Sequence, residues 1–194
     1  IYTVSILDHF VNYKNRFQIE DKFFFPNLCF VADQHAYEIA LKELHPFKEI
    51  HICENYYINS LKSSLMCAEN NSSKKVLYVL ENLDENWGDE PPWLMAFKNF
   101  YYNFFKKNSS LDSIIVRHHP KDNIEEYKEL KKYKEVIFDQ NTSQLASLSA
   151  VQIVVGIESY FLYVAKELGF EVFTSLPKEI RSPRLPKNIC KAID

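Results

Sequence analysis

The sequence has no cysteine pair, no long apolar run and no surplus of basic residues, and each absence excludes a class of protein. Its four cysteines lie far apart, with no CxxC pair and no histidine spacing that would complete a zinc site. A transmembrane helix needs about 18 consecutive apolar residues, and the chain contains no such run. The formal charge of -3 lacks the basic surplus that non-specific nucleic-acid binding requires. We therefore expect a cytoplasmic protein with reduced thiols, no nucleic-acid partner and no metal site.

Strand-like and helix-like segments alternate along the chain, which is the pattern of a parallel sheet flanked by helices. Strands are predicted at residues 2–7, 27–33, 49–55, 75–82, 113–120, 135–140, 151–159 and 171–177. Helices are predicted at residues 34–44, 91–107, 123–133, 142–149 and 160–169. The Asn- and Ser-rich stretch 67–75 favours turns and divides the chain. The sequence therefore predicts an α/β fold of two Rossmann-like half-domains, residues 1–70 and 71–194. Because the chain opens on strand-like sequence without Met, we expect the N-terminal half to be truncated.

The stretch DSIIVRHHPKDN, residues 112–123, places a guanidinium and two imidazoles at the end of an apolar strand. Neighbouring residues of a strand point to opposite faces, so only one of His118 and His119 can face a cleft. His119 is the candidate, because Pro120 fixes the backbone directly after it. Its imidazole can donate a hydrogen bond to a phosphoryl oxygen or protonate a departing phosphate. The alternative is that both histidines only pack and bond to the backbone.

A second candidate anion site follows the strand in VVGIESYFLYVAKELG, residues 154–169. Gly156 permits a tight turn, and Ser159 falls where a helix begins and the first backbone N–H groups have no helical partner. A phosphate can bind these amides and the Ser159 hydroxyl. Alternatively, Ser159 is only the N-terminal cap, a position that serine favours. Two further strand ends, at Asp8-His9 and at Glu81, also carry groups of chemical interest.

The motif RHHP, followed about 40 residues later by a strand that ends in GIES before a helix, resembles the C-terminal half of GT-B glycosyltransferases. The pattern is similar to bacterial sialyltransferase-like and capsule-polymerase-like families. In those families the histidine of an HP motif and a later serine contact the phosphate of a cytidine nucleotide donor. The resemblance implies that His119 and Ser159 bind the donor phosphate and that His119 takes part in catalysis. The remaining nucleotide-binding candidates are Arg117, Gly156 and Glu158.

The start of the chain, SILDHFVNYKNRF, is similar to a group of bacterial polysaccharide-biosynthesis proteins that carry a further strand and helix upstream. The sialyltransferases take their general base from a motif of two acidic residues and a glycine, and this sequence lacks such a tripeptide. Asp8 is the candidate catalytic base in its place, or the base lies in sequence missing from this chain, and His9 and Arg16 are expected on the acceptor side. Alternatively, Asp8 only caps the next turn and Arg16 lies on a solvated face.

The resemblance implies a metal-independent glycosyltransferase that moves a sugar from a nucleotide donor to a cell-surface glycan, such as capsule or lipopolysaccharide. CMP is the candidate nucleotide. No DxD pair is present to hold a cation, so Arg and His side chains would offset the charge of the leaving phosphate. The expected partners are the nucleotide-sugar, as substrate and not as cofactor, and the glycan acceptor, and a peripheral membrane association stays open. The alternatives are a non-catalytic nucleotide-recognition module and a sugar-nucleotide epimerase or hydrolase of the same fold.

Overall fold

The computed structural model describes residues 1–7, 13–44, 49–65, 74–186 and 188–193, and the chain folds into two compact units, Ile1–Asn59 and Ser60–Asp194. The strands are β1 (Val4–Leu7), β2 (Gln18–Ile19), β3 (Lys22–Phe23), β4 (Leu28–Val31), β5 (Ile50–Ile52), β6 (Lys75–Val79), β7 (Ser113–Arg117), β8 (Val136–Phe138), β9 (Ile153–Gly156), β10 (Glu171–Thr174) and β11 (Lys191–Ala192). The helices are α1 (Tyr13–Arg16), α2 (Gln34–Glu43), α3 (Tyr56–Leu65), α4 (Pro92–Phe100), α5 (Gln144–Ser149) and α6 (Tyr160–Glu167). A π-helical turn, Tyr101–Phe105, continues α4, and Ile124–Lys132 forms a 3-10 helix.

The N-terminal unit contains a three-stranded parallel sheet in the order β1-β4-β5. Helix α2, which connects β4 to β5, is capped by Asp33, whose side chain accepts a hydrogen bond from the amide of Ala36 at 2.8 Å. Ala36 and Ala40 form its buried side, and the helix contacts both of these strands. A short antiparallel pair, β2 and β3, lies between β1 and β4 in the chain.

The C-terminal unit is built on a six-stranded sheet in the order β11-β10-β9-β6-β7-β8, and every pair of neighbouring strands is parallel. The chain enters in the middle at β6, adds β7 and β8 on one side, and then adds β9, β10 and β11 on the other. The direction of growth therefore reverses between β6 and β9. In open α/β sheets such a reversal opens a crevice at the carboxyl ends of the strands, where ligands bind. The predicted α/β class is confirmed.

Alternate residues of the central strand β6 enter two separate cores. Val76 and Tyr78 pack with Phe97 and other aromatic residues of α4, and Leu77 and Val79 lie in the core that includes residues of α6. Parallel sheets need such cover on both faces, and burying each large apolar side chain contributes about 1.5–3 kcal/mol. The aromatic series WLMAFKNFYYNFF thus belongs largely to the core.

Several element boundaries differ from the sequence predictions. Every predicted strand is longer than the observed one. The first strand starts two residues later than predicted, and the others end earlier, because the residues at their predicted ends belong to the following loop. The predicted helix 91–107 changes at Tyr101 to π-helical bonding, in which the amide of Lys106 donates to the carbonyl of Tyr101 at 2.9 Å. The predicted helix 123–133 is the tighter 3-10 form. The predictions missed α1, α3, β2, β3 and β11, and most of the predicted linker 67–75 lies outside the described residues. Across the described ranges, no helix has both the length and the apolar character that spanning a bilayer requires.

Candidate functional site at the carboxyl edge of the sheet

The candidate site lies at the carboxyl ends of four neighbouring strands of the C-terminal sheet. Val79 is paired in register with Arg117 on one side and with Gly156 on the other, and Gly156 is paired with Thr174. These four residues mark one level across β7, β6, β9 and β10, with neighbouring strands about 4.8 Å apart. The loops that leave this level carry the polar groups of the site.

A reverse turn from His119 to Asp122 follows β7 and fixes the orientation of the His119 ring. The amide of Asp122 donates to the carbonyl of His119 at 2.9 Å, and Pro120 occupies the second position, where its fixed φ suits the turn. The amide of Lys121 donates to Nδ1 of His119 at 3.2 Å. Because Nδ1 accepts, the neutral ring carries its hydrogen on Nε2, which makes that nitrogen a donor. His118 instead places its Nδ1 against the His119 carbonyl at 2.9 Å.

Arg117 belongs to a buried ion pair that ties the end of β7 to β8 and α5. Its Nη1 donates to Oδ2 of Asp139 at 2.8 Å, to Oγ of Ser147 at 2.8 Å and to the carbonyl of Asn141 at 2.9 Å. The Asp139 side chain is only 2% exposed. Burial alone would raise its pKa, but hydrogen bonds from Ser147, Asn141 and Arg117 hold the pKa of Asp139 below its usual value. The Arg117 guanidinium thus holds together the strand end from which the histidine turn starts.

Ser159 is the N-terminal cap of α6, and the amides beside it have an internal partner. Its Oγ accepts a hydrogen bond from the amide of Phe161 at 3.2 Å. The amide of Glu158 donates to Oε2 of Glu81 at 2.7 Å, and the amide of Ser159 also bonds to the Glu81 carboxyl. Ser159 therefore serves as the cap, and because the cap bond uses an oxygen lone pair and not the hydroxyl hydrogen, this role does not exclude contact with a ligand. The neighbouring amides, which the sequence analysis assigned to a phosphate, already bond to the carboxyl of Glu81.

Glu81 is a half-buried carboxyl two residues beyond the end of β6, at the point where the sheet reverses direction. Burial raises its pKa to about 7, and the nearby Glu158 charge raises it as well. The amide hydrogen bonds from Glu158 and Ser159 and the positive charge of Arg181 oppose this rise. A carboxyl that titrates near neutral pH can take up or release a proton under physiological conditions, which is frequent at functional sites.

An ion cluster of Glu85, Glu158, Arg181 and Arg184 lies next to Glu81. Arg181 bonds to both carboxylate oxygens of Glu158, at 2.7 and 2.6 Å, and to both of Glu85, at 2.9 and 3.3 Å. Arg184 adds a side-chain bond to Glu85 and a backbone bond to Glu158 at 2.9 Å. Hydrogen bonds from Arg181 and Trp87 lower the pKa of Glu85 to about 2. The cluster is neutral overall and fastens the loop 177–186, which carries both arginines, to the loop after β6.

No protein-family model, no curated protein and no solved structure matches this chain. The functional argument therefore depends on the geometry of the site. Within the described parts of the chain, no three His, Cys, Asp or Glu side chains come together in a group that could hold a metal ion.

The structure brings all five nucleotide-side candidates to one edge of one sheet. Arg117 ends β7 and His119 follows it, and Gly156 ends β9 and is followed by Glu158 and Ser159. Two of them, the Arg117 guanidinium and the Glu158 carboxylate, bond to other side chains of the protein. This arrangement leaves the His119 ring and the Ser159 hydroxyl as the groups best suited to contact a ligand.

The sequence did not point to Glu85, Arg181 or Arg184. Strand-end reasoning directs attention to the residues immediately after a strand, whereas Arg181 stands seven positions beyond the last residue of β10. Only the contact with Glu158 connects it to the site. The run RSPR itself contains no pattern that would have found it.

The acceptor-side candidates belong to the N-terminal unit. Asp8 and His9 lie outside the described residues. Arg16 is the last residue of α1 and is exposed. The roles given to these three residues stay predictions.

Proposed function

We propose that the C-terminal unit binds the phosphate of a nucleotide-sugar and that the protein is a metal-independent glycosyltransferase acting on a cell-surface glycan. The observation that carries the proposal is the oriented His119 ring, whose Nδ1 accepts from the Lys121 amide at 3.2 Å. Its Nε2–H is then available to donate to a phosphoryl oxygen. The ring is exposed, so a ligand can reach it.

The sheet topology supports this location for the phosphate. His119 and Ser159 stand in the loops after β7 and β9, on the two sides of β6. Two strand spacings, about 10 Å, separate β7 from β9, a gap suited to two side chains with a phosphate between them. The reversal between β6 and β9 is also where open α/β sheets bind ligands. In this proposal the C-terminal unit is the Rossmann-like donor half of a GT-B-like enzyme, and the N-terminal unit is its acceptor half.

The chemistry of the proposal is a displacement at the anomeric carbon. A hydroxyl oxygen of the acceptor forms the new bond to that carbon, the bond from carbon to phosphate oxygen breaks, and the hydroxyl proton passes to a general base, for which Asp8 is the candidate from the sequence. Negative charge grows on the departing phosphate, and the hydrogens on Nε2 of His119 and Oγ of Ser159 stabilise it. Arg117 acts by holding the end of β7, through its ion pair with Asp139.

Two alternatives share the same ligand site and differ in the fate of the bound nucleotide-sugar. A nucleotide-recognition module binds the nucleotide-sugar and releases it unchanged. An epimerase or hydrolase converts it without a glycan acceptor. Incubation of the protein with a nucleotide-sugar, with and without acceptor glycan, separates them by whether nucleotide is released and whether its release needs the acceptor.

The ligand site is tested by thermal shift with CMP, CDP, UDP and GDP on the wild type and on two matched variants. We expect at least one nucleotide to raise the melting temperature of the wild type and of His118→Ala. The same nucleotide should leave His119→Ala unchanged, because only His119 directs a ring N–H to the ligand. An equal shift in both variants contradicts the assignment of His119, and the absence of any shift in the wild type contradicts the proposed function.

A further inference from the structure

A pocket of about 370 Å³ lies at the carboxyl ends of β10 and β11, beside the ion cluster. This volume is in the range of small-molecule sites. We call it the edge pocket, and the lining residues that bear on its ligand are Leu176, Lys178, Arg181, Pro183, Leu185 and Ala192. The proposed donor-phosphate site uses none of them.

The hydrogen bonds of Arg181 determine which part of this side chain a ligand can touch. Its Nε donates to Glu85, its Nη1 donates to Glu158 and to the carbonyl of Ser182 at 3.2 Å, and its Nη2 donates to Glu85 and Glu158. A guanidinium has five N–H donors in one plane, and five hydrogen bonds occupy them. Arg181 therefore meets the pocket with the face of its guanidinium or with its methylene stem, and not with an N–H group.

A guanidinium held in this way suits a flat ring. Arginine stacks its planar face on aromatic systems, and the carboxylates of Glu85 and Glu158 fix the plane before any ligand arrives. Fixing the side chain in advance reduces the entropy that binding would otherwise cost. Leu176, Leu185 and the proline rings supply apolar surface for the rest of the ring.

The charge of the lining adds a preference for an anion. Lys178 is exposed at the pocket, and none of the lining residues that the structure describes is acidic. The charges of Arg181 and Arg184 are offset by Glu85 and Glu158 within the ion cluster, and Lys178 adds a further positive charge to the lining. A ring that carries a negatively charged group is therefore attracted to the pocket more strongly than a neutral ring is.

We propose that the edge pocket holds the base of the nucleotide, stacked on the face of the Arg181 guanidinium. The inference rests on the proposed function, which supplies the nucleotide, and adds the residues that recognise its base. The geometry is consistent with one ligand, because β10 and β9 are neighbours and Ser159 stands in the loop after β9. A base at the end of β10 is one strand spacing from β9, whose following loop carries Ser159, and two spacings, about 10 Å, from β6, over which the proposed phosphate lies between Ser159 and His119.

The test is calorimetric titration of the full chain with CMP, UDP and GDP in separate experiments, and with cytidine. Ala192→Leu fills the edge pocket with aliphatic volume, and Ala146→Leu is the same substitution on α5, away from the pocket. Lys178→Glu reverses the charge of the lining, and Lys107→Glu is its exposed control. Circular dichroism confirms that each variant is folded.

We expect Ala192→Leu to raise the Kd of the bound nucleotide by about 5- to 150-fold, because base stacking is worth about 1–3 kcal/mol. Ala192→Leu should weaken the binding of cytidine to a similar degree. Lys178→Glu should weaken the binding of the nucleotide more than that of cytidine. Both controls should bind as the wild type does. If His119→Ala raises the nucleotide Kd and Ala192→Leu leaves it unchanged, the edge-pocket inference is refuted and the proposed function stands. If no nucleotide binds the wild type, both are refuted.

Discussion

Replacing Glu81 by glutamine should remove a pH-dependent loss of stability that the wild type carries. Burial raises the pKa of Glu81 from 4.5 to about 7 in the folded chain. Between these two values the folded state holds a proton that the unfolded state has released. The free energy of unfolding therefore falls as pH rises through this interval, and the loss is complete above about pH 7.

The size of this loss follows from the pKa difference. Each pKa unit corresponds to 1.36 kcal/mol, so the shift of Glu81 amounts to about 3 kcal/mol. Glutamine is neutral at every pH and keeps a carbonyl oxygen for the Glu158 amide, which donates to Glu81 at 2.7 Å. The advantage of Glu81→Gln over the wild type should thus be small near pH 5 and grow toward about 3 kcal/mol near pH 8.

Urea denaturation at several values between about pH 5 and about pH 8 measures this difference. Glu126→Gln is the matched control, because Glu126 is exposed on the 3-10 helix. The free energy of unfolding of this variant should change with pH in parallel with that of the wild type. A constant offset between Glu81→Gln and the wild type across the whole range would refute the reasoning, since the glutamine would then change packing and not titration.

Two further substitutions test the packing that positions the site. Arg117→Met should lower the free energy of unfolding by about 3–5 kcal/mol, because it leaves the carboxylate of Asp139, only 2% exposed, without its cation. Adding Asp139→Leu should restore much of that loss in urea denaturation, and a double variant no more stable than the single one contradicts a buried pair. Gly156→Ala should cost about 1–3 kcal/mol, because its Cβ would lie 3.1 Å from the carbonyl oxygen of Val79 and 3.3 Å from a methyl group of Leu162. An unchanged melting temperature would show that β6 and β9 can separate at this point.

The α/β class was predictable because hydrophobic patterning reports which segments are buried. Strands β6, β7 and β9 are short apolar runs bounded by polar residues, and α2 has its buried residues on one side. The boundaries were less predictable. The predicted strand 151–159 stops at Gly156, because the following residues bond to Glu81 and to the side chain of Thr174 at the end of β10, which are distant in sequence.

The candidate site was predictable only where its residues adjoin strand ends. His119 and Ser159 were selected in this way, and both lie at the carboxyl edge of the sheet, whereas their ligand roles and the choice of His119 over His118 stay predictions. The raised pKa of Glu81 and its bonds to the amides after β9 were not predictable from the sequence, because tertiary packing determines them. Arg181 was hidden for the same reason, since its charge is matched by Glu85, which lies 96 positions earlier in the chain.

The placement of β6 at the centre of the sheet has a consequence for the order of folding. Glu81 and Glu158, whose contact joins the two sides of the crevice, are 77 residues apart. Pairing between β6 and β7 closes a shorter loop than pairing between β6 and β9, and long loops cost more entropy to close. The sheet can therefore start from β6, β7 and α4, whereas the crevice forms only when β9 docks. Docking of β9 then completes the centre of the sheet and creates the proposed ligand site in the same late event.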